Sequence, residues 1–156
     1  MSSRKSEIVF RPATTEDVSD IAHILRVGLT YILPDLPALH TPEEDIGYVR
    51  DSLKECEVVV AVSDTTPIGF IIFKEDWISH LYVLPEFHRM GIGTTLLSFA
   101  TEKYSHLQLW TFQCNKQARG FYEQHGFTAT TFTNGEGNEE KEPDVMYEWR
   151  RPTSPT

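Results

Sequence analysis

A turn with two glycines, at residues 88–94, holds the residue types best suited to bind a ligand. It reads HRMGIGT, after an apolar segment that ends before Pro85 and before a longer segment with helical periodicity. At a helix start the first backbone N–H groups lack intrahelical partners and the helix dipole is positive. Glycines allow a ligand to approach the backbone closely. The turn therefore predicts a phosphate-binding site, with an ordinary strand-to-helix turn as the alternative.

Two familiar nucleotide-binding patterns do not fit this turn. The dinucleotide fingerprint requires a third glycine three residues after Gly93, where the chain has Leu96. The phosphate-binding loop of NTPases requires Gly-Lys-Ser/Thr, and neither Gly91 nor Gly93 is directly followed by a lysine. Both patterns are excluded.

The turn and a second stretch together resemble the GNAT superfamily of N-acetyltransferases, which use acetyl-CoA. The family pattern Gln/Arg-x-x-Gly-x-Gly/Ala is similar to residues 88–93, with His88 where the family usually has Gln or Arg. Further along, residues 115–127 read NKQARGFYEQHGF and look like the family's N-x-x-A-x-x-F-Y-x-x-x-G-F helix. The two motifs occur in the family's order, and the resemblance covers residues 7–149.

The resemblance implies that acetyl-CoA is the co-substrate and that no metal is used. The pyrophosphate would lie on the N–H groups of residues 89–94, with Arg89, the Thr94 hydroxyl and a protonated His88 nearby. The pantetheine amides would pair with the strand edge near Leu81 and Val83, as a peptide adds to a sheet. The implied cofactor-binding residues are Leu81, Tyr82, Val83, His88, Arg89, Met90, Gly91, Ile92, Gly93, Thr94, Asn115 and Tyr122. For Asn115, the alternative is that it only caps the following helix.

The resemblance also implies a catalytic role for Tyr122, which stands at the family's general-acid position. A phenol with an ordinary pKa near 10 is protonated at neutral pH and can donate to a thiolate leaving group. The Val83 N–H is the candidate donor to the developing oxyanion. Relatives with a glutamate base have Trp77 at the matching place here. His80, on the same strand, is the candidate base, and a chain of water molecules is the alternative.

The acceptor groove is expected between the first two helices and the loop before the last strand. Tyr31 contributes to an apolar and aromatic wall, and Glu139 and Glu140 belong to an acidic loop at residues 136–144. Such a charge run is either solvated surface or attracts a cationic amine. A polyamine-like amine, an amino sugar and a peptide amine all remain open.

The implied function is transfer of an acetyl group from acetyl-CoA to a primary amine by direct attack in a ternary complex. A non-catalytic acyl-CoA-binding module and a transferase for a longer acyl-CoA are the alternatives.

The elements that must position these residues follow from hydrophobic periodicity. The predicted order is a strand, two helices, three strands, a helix, a strand, a helix and two strands. Residues 77–84 and 107–112 flank a helix, so these two strands should be parallel, whereas the hairpin before them is antiparallel. The expected fold is a single α/β domain over residues 1–156, with a mixed, mostly antiparallel sheet, a splayed parallel pair and helices on both faces. Its core spans residues 7–150, and the tail at 151–156 is expected to fray.

Composition restricts the partners. The chain has 156 residues, 40% of them hydrophobic, a net charge of −9 and a pI of about 5.1. The acidity argues against nucleic acid as a partner. Residues 80–125 carry four basic and three acidic side chains, however, so the acidity belongs to the rest of the chain. That division predicts an anionic donor beside residues 80–125 and a cationic acceptor beside the acidic remainder of the chain.

The setting is expected to be cytoplasmic, without membrane association. No apolar run approaches the ~20 residues of a membrane span, and residues 1–10 lack the apolar core of a secretory signal. Cys56 and Cys114 are predicted to be buried free thiols in a reducing compartment. The sequence leaves open a monomer or a homodimer.

Overall fold

The chain folds as a seven-stranded sheet with two helices on each face, and the computed structural model describes residues 7–153. The strands are β1 (Ile8–Pro12), β2 (Glu57–Ser63), β3 (Thr66–Lys74), β4 (Trp77–Val83), β5 (His106–Phe112), β6 (Thr128–Phe132) and β7 (Asp144–Arg150). The helices are α1 (Val18–Ile32), α2 (Pro42–Glu55), α3 (Ile92–Lys103) and α4 (Lys116–Gln124). The predicted order of elements and the α/β fold class are confirmed.

The strand order is β1-β2-β3-β4-β5-β7-β6, and every neighbouring pair is antiparallel except β4 with β5. The predicted parallel pair is therefore confirmed, and α3 is the crossover between its strands. Among residues 7–153, no helix is both long and apolar enough to cross a lipid bilayer.

Two apolar cores lie on opposite faces of this sheet, and β2 shows how the sequence divides between them. Val58, Val60 and Val62 pack under α1 and α2, whereas Val59 and Ala61 pack under α3 and α4. Alternate residues of a strand point to opposite faces, so a continuous apolar run serves both cores. The sheet is consequently covered on both sides, as predicted.

The start of α2 follows from its first residues. The Thr41 hydroxyl accepts from the Glu44 N–H at 3.1 Å, and the Glu44 carboxylate accepts from the Thr41 N–H at 2.9 Å. This capping box satisfies N–H groups that have no intrahelical partner, and Pro42 occupies the first turn, where its missing N–H costs nothing. The residue types at Thr41, Pro42 and Glu44 thus account for where α2 begins.

Three local features complete this description. Pro12 is the last residue of β1, which is an edge strand, and an edge tolerates a residue without an N–H. Cys114 is exposed and Cys56 half-buried, so the predicted burial is wrong for Cys114, which lies in the loop between β5 and α4. In the expected tail, Arg151 donates to the carbonyls of Thr101 and Glu102 near the end of α3, and residues 154–156 lie outside the described residues.

Candidate active site

The central feature of the site is a gap between β4 and β5. The two strands share one register position in the described part of the chain, Trp77↔Gln108, and diverge beyond it. On the other side of β4 the register with β3 shifts so that Ser79 has no partner. Such a bulge bends its strand and increases the local twist. The bulge therefore turns β4 away from β5 and opens the sheet.

Backbone groups of β4 point into this gap. The Leu84 N–H donates to the Ile68 carbonyl at 2.8 Å. Hydrogen-bonded and non-hydrogen-bonded pairs alternate along an antiparallel ladder, so the next pair, Gly69↔Val83, is non-hydrogen-bonded, as is the pair that contains Leu81. The N–H and C=O groups of Leu81 and Val83 consequently point away from β3 and toward β5. Except for the Val83 carbonyl oxygen, which lies 2.8 Å from His88 Nε2, they form a free strand edge of the kind predicted for binding amides.

The glycine turn lies at the end of this edge and begins α3. Arg89 and Gly91 both have left-handed backbone conformations, with φ of 65° and 77°, and Gly91 is the N-cap residue of α3. Left-handed residues in a turn direct successive N–H groups toward one point, and the helix N-terminus adds a positive dipole. This geometry suits an anion such as a pyrophosphate.

A cleft of about 1100 Å³ joins the turn, the β4 edge and α4. It brings together all the predicted cofactor-binding residues except Met90. The lining members of that set are Leu81, Tyr82, Val83, His88, Arg89, Gly91, Ile92, Gly93, Thr94, Asn115 and Tyr122. The Met90 side chain is 52% exposed and lies outside the lining.

His88 connects the two walls of the cleft. Its Nε2 lies 2.8 Å from the Val83 carbonyl oxygen, and the Gln117 amide nitrogen lies 3.2 Å from its Nδ1. A neutral ring that donates at Nε2 and accepts at Nδ1 satisfies both contacts. The Tyr31 ring packs edge-on against the imidazole. Both ring nitrogens thus have protein partners, and neither is free for the phosphate contact predicted for a protonated His88.

Thr94 is oriented by a histidine that the sequence did not single out. The His125 Nδ1 lies 2.7 Å from the Phe121 carbonyl oxygen, so it donates there, and its Nε2 accepts from the Thr94 hydroxyl at 3.1 Å. His125 falls within the second motif, but its approach to α3 depends on how α3 and α4 pack.

Tyr122 lies at the inner end of the gap. Its side chain is buried and lines both the large cleft and a smaller cavity of about 70 Å³ between β4 and β5. The Tyr122 hydroxyl has no hydrogen-bond partner among residues 7–153. Every side-chain N or O atom in that range that is fully buried has a partner, so the Tyr122 hydroxyl is not fully buried and is open to the cavities. Burial raises the pKa of the phenol, which is therefore a protonated donor at neutral pH.

Asn115 caps a helix with one end of its side-chain amide and leaves the other end unbonded. Its Oδ1 accepts from the Ala118 N–H at 3.1 Å, which confirms that it caps α4. Its side-chain nitrogen has no bond to any described residue, and Asn115 lines both cavities. The amide N–H₂ group is thus available to a ligand.

His80 also lines the small cavity, but it lies on the α1–α2 side of the sheet. Its Nε2 lies 2.8 Å from the Tyr48 hydroxyl, and its ring stacks on Tyr82 with the centroids 6.0 Å apart. Burial lowers the pKa of His80 to about 4. The ring is therefore neutral at pH 7, which is the form a base requires, although its basicity is weak.

The predicted acceptor residues fall in two places. Tyr31 is 57% exposed and lines the large cleft beside His88. Glu139 Oε1 lies 2.5 Å from His40 Nε2. Burial raises the pKa of Tyr82 to about 12, and Glu140 is close enough to contribute to that shift. The two glutamates therefore lie on the α1–α2 side of the sheet, but neither lines the large cleft or the small cavity. Among the described residues, no group of three His, Cys, Asp or Glu side chains has the arrangement of a metal site.

Similarity to known proteins agrees with this geometry. Residues 54–129 match the family model described as an acetyltransferase (GNAT) domain. The chain is 32% identical over 84 residues to peptidyl-lysine N-acetyltransferase YiaC, and 32% identical over 91 residues to peptidyl-lysine N-acetyltransferase YjaB, both from Escherichia coli K12. The aligned parts cover 53% and 58% of this chain. They cover 58% and 60% of YiaC and YjaB, so the chain matches little more than half the length of these curated relatives.

Solved structures extend the similarity to nearly the whole chain at the level of the fold. The solution structure of apo YjaB from Escherichia coli has a TM-score of 0.75 at 23% identity and covers 94% of this chain and 99% of its own. The crystal structure of PaiA N-acetyltransferase from Thermoplasma acidophilum, in complex with coenzyme A, has a TM-score of 0.67 at 19% identity and covers 92% and 99%. The family match, the relatives and the shared fold agree with the motif residues that line the cleft. Residues 54–129 thus match the GNAT acetyltransferase family, and the chain has the fold of GNAT acetyltransferases.

Proposed function

We propose that this protein is an acetyl-CoA-dependent N-acetyltransferase that acts on a primary alkylamine. One observation carries the proposal: the unpaired Tyr122 hydroxyl opens into the cavity between β4 and β5, where the free N–H groups of β4 end. A proton donor and a row of amide donors at a break in a sheet suit a thioester whose sulfur and carbonyl oxygen both gain negative charge.

The residues present fit acetyl-CoA. The pyrophosphate is suited to the N-terminus of α3 and to Arg89, and the pantetheine amides are suited to the backbone edge at Leu81 and Val83. The free amide nitrogen of Asn115 adds a donor on the opposite wall. Bound there, acetyl-CoA supplies an acyl group activated as a thioester. PaiA, of similar fold, is described in complex with coenzyme A, which supports the same assignment.

Residues of the chain stabilise the negative charge on the carbonyl oxygen, protonate the departing sulfur and give the amine proton a way out. The acceptor must reach the site as the neutral amine, whose nitrogen attacks the carbonyl carbon. The Val83 N–H donates to the carbonyl oxygen while it carries the negative charge of the tetrahedral intermediate. As the C–S bond breaks, Tyr122 donates its proton to the departing sulfur. The nitrogen loses its own proton to water on the α1–α2 side of the gap, and the Tyr122 oxygen regains a proton from water, so the net products are an amide and free CoA thiol.

A lysine-type amine is the acceptor that we propose. Glu139 and Glu140 lie on the α1–α2 side of the sheet, and the acidity of the chain lies mostly outside residues 80–125, so that side attracts a cationic alkylamine. YiaC and YjaB are named peptidyl-lysine N-acetyltransferases, which favours a lysine side chain over an amino sugar.

A thiol-release assay tests the proposed function. The purified protein is given acetyl-CoA with a lysine-containing peptide, a polyamine or an amino sugar, and CoA thiol is followed. We expect amine-dependent release, fastest with the lysine peptide. The reaction should slow with two bulkier acyl-CoAs, because the inner cavity of about 70 Å³ leaves little room beyond an acetyl group. Stabilisation by CoA without release for any amine would instead identify a non-catalytic acyl-CoA-binding module.

A further inference from the structure

A tyrosine on α2 contacts His80 of β4. The Tyr48 hydroxyl lies 2.8 Å from His80 Nε2, and Tyr48 is 46% exposed. His80 also lines the small cavity that Tyr122 lines. No motif of the sequence includes Tyr48, which lies 32 residues before His80 in the chain.

The packing around His80 holds its ring in one orientation. Tyr48 contacts the ring edge-on, with the centroids 5.5 Å apart, and Tyr82 stacks on it at an interplanar angle of 27°. Tyr82 is itself held by α1, because a Cβ on Gly28 would meet its ring at 2.3 Å. His80 therefore cannot swing out of the cavity without displacing two aromatic rings and the helix above them.

The two ring nitrogens of His80 have different surroundings. Nε2 is engaged by Tyr48, whereas Nδ1 has no hydrogen-bond partner in the part of the chain that the structure describes and is not sealed from solvent. Nδ1 is thus the nitrogen available to a proton from the acceptor side. A histidine bonded at one nitrogen and free at the other can pass a proton by exchanging its tautomers.

We propose that Tyr48 acts through His80 as the exit of the proton that the acceptor amine loses, an inference that rests on the proposed function. The amine's N–H bond breaks as an Nδ1–H bond forms, directly or through one water molecule. The Nε2–H bond then breaks, its proton joins the Tyr48 oxygen, and the original hydroxyl proton leaves to bulk water. Both side chains end neutral, and loss of the Nδ1 proton to water with reprotonation at Nε2 restores the starting tautomer.

The weak basicity of His80 indicates that its ring passes the proton on to Tyr48 and does not retain it. Its pKa of about 4 is lowered by burial, and no charged side chain contributes to the shift. A proton held on such a ring leaves quickly, which requires a partner already in contact. Tyr48 is that partner, and burial raises the pKa of its phenol, so it remains a neutral hydroxyl that both accepts and donates.

Replacement of Tyr48 by phenylalanine tests the relay, because it keeps the ring against His80 and removes only the hydroxyl. With acetyl-CoA and the amine that gives turnover in the thiol-release assay, we expect kcat of Tyr48→Phe to fall about tenfold or more. Imidazole, added at constant pH and ionic strength, should restore part of that loss and leave the unchanged protein unaffected. The double variant Tyr48→Phe/His80→Asn should be no slower than His80→Asn alone, because both lie on one route.

Tyr104→Phe is the matched control, since it removes one phenol hydroxyl from a residue that lines neither cavity. We expect kcat of Tyr104→Phe to equal that of the unchanged protein. Acetyl-CoA should stabilise every variant as much as it stabilises the unchanged protein. Unaltered kcat in Tyr48→Phe, or a loss that imidazole does not restore, overturns the relay while leaving the proposed function in place. Absence of turnover by the unchanged protein with every amine overturns the proposed function, and the relay with it.

Discussion

The two edges of β5 differ in a way that explains the site. On one edge β5 pairs with β7 along its whole length, from His106↔Arg150 to Phe112↔Asp144. On the other edge it meets β4 at Trp77↔Gln108 and then diverges. The paired edge is part of the stable sheet, whereas the open edge leaves amide groups of β4 for a ligand. One edge of β5 is thus fully paired, and the other is left open except at one position.

Two tyrosines repeat this contrast at the level of side chains. The rings of Tyr122 and Tyr147 lie 6.2 Å apart, and both residues are buried. The Tyr147 hydroxyl donates to Glu123 at 2.5 Å and accepts from Arg119 at 3.1 Å, whereas the Tyr122 hydroxyl faces the cavity unpaired. A buried hydroxyl is normally paired, so an unpaired one at a cavity marks a place where a ligand completes the bonding.

The largest effect is expected when the tyrosine at the open edge loses its hydroxyl. Tyr122→Phe should lower kcat by about 100-fold or more, because the thiolate then departs without a proton donor. The stabilisation by acetyl-CoA should change little, since the ring still lines the cleft. Thiol release and thermal unfolding with added acetyl-CoA measure the two quantities.

The paired tyrosine gives the matched control for that change. Tyr147→Phe removes a hydroxyl bonded to Glu123 and Arg119, so it should lower the free energy of unfolding by about 1 kcal/mol and leave kcat within about twofold. If the two variants lost similar activity, the distinction between the two tyrosines would fail.

A smaller effect is expected at the turn that follows the open strand. Gly91 has a φ of 77°, a conformation that costs an L-residue about 1–2 kcal/mol. Gly91→Ala should therefore displace the N–H groups of the turn and raise the KM for acetyl-CoA about tenfold. Gly47→Ala is the control, because Gly47 lies within α2 and a Cβ there meets no atom within 4 Å. That substitution should stabilise the protein slightly, and an equal rise in KM there would argue against the anion site.

The smallest expected effect is on the pH dependence of kcat/KM, which should follow the ionisation of the acceptor amine alone. Burial lowers the pKa of His80 to about 4, so His80 is neutral above that pH and adds no inflection near 6.5. Burial raises the pKa of Tyr122, so the proton donor persists into the alkaline range. We expect kcat/KM to rise about tenfold for each pH unit toward the amine's own pKa, roughly 10.4 for an alkylammonium. A plateau that begins near pH 7 and disappears in His80→Asn would contradict this assignment.

Local signals in the sequence were enough for the fold. The change from helical to strand periodicity gave the element order, the helix between residues 77–84 and 107–112 required a parallel pair, and Thr41-Pro42 marked a helix start. The glycines at 91 and 93 marked the turn at the start of α3, and the resemblance placed Tyr122 beside it. Each of these features depends on residues that are close in the sequence, or on an order of elements that allows few topologies.

Contacts between distant elements could not be predicted in this way. The bonds of His88 to Gln117, of Thr94 to His125 and of His80 to Tyr48 each join two elements whose packing fixes the distance. Tyr147 shows the same limit, because nothing in the sequence pairs its hydroxyl with α4. Side-chain periodicity identifies the face on which a residue lies, but not which polar atom it meets there.

Amide hydrogen exchange, resolved by residue, tests most directly whether the open edge of β4 is the donor site. In the free protein the N–H groups of Leu81 and Val83 should exchange quickly, because they face the gap without a partner, whereas those of β5 that face β7 should exchange slowly. Saturation with acetyl-CoA should slow exchange at Leu81 and Val83 by about tenfold or more and leave the β5–β7 amides unchanged. Unaltered exchange at both residues in the presence of bound acetyl-CoA would show that the gap is not where the donor binds.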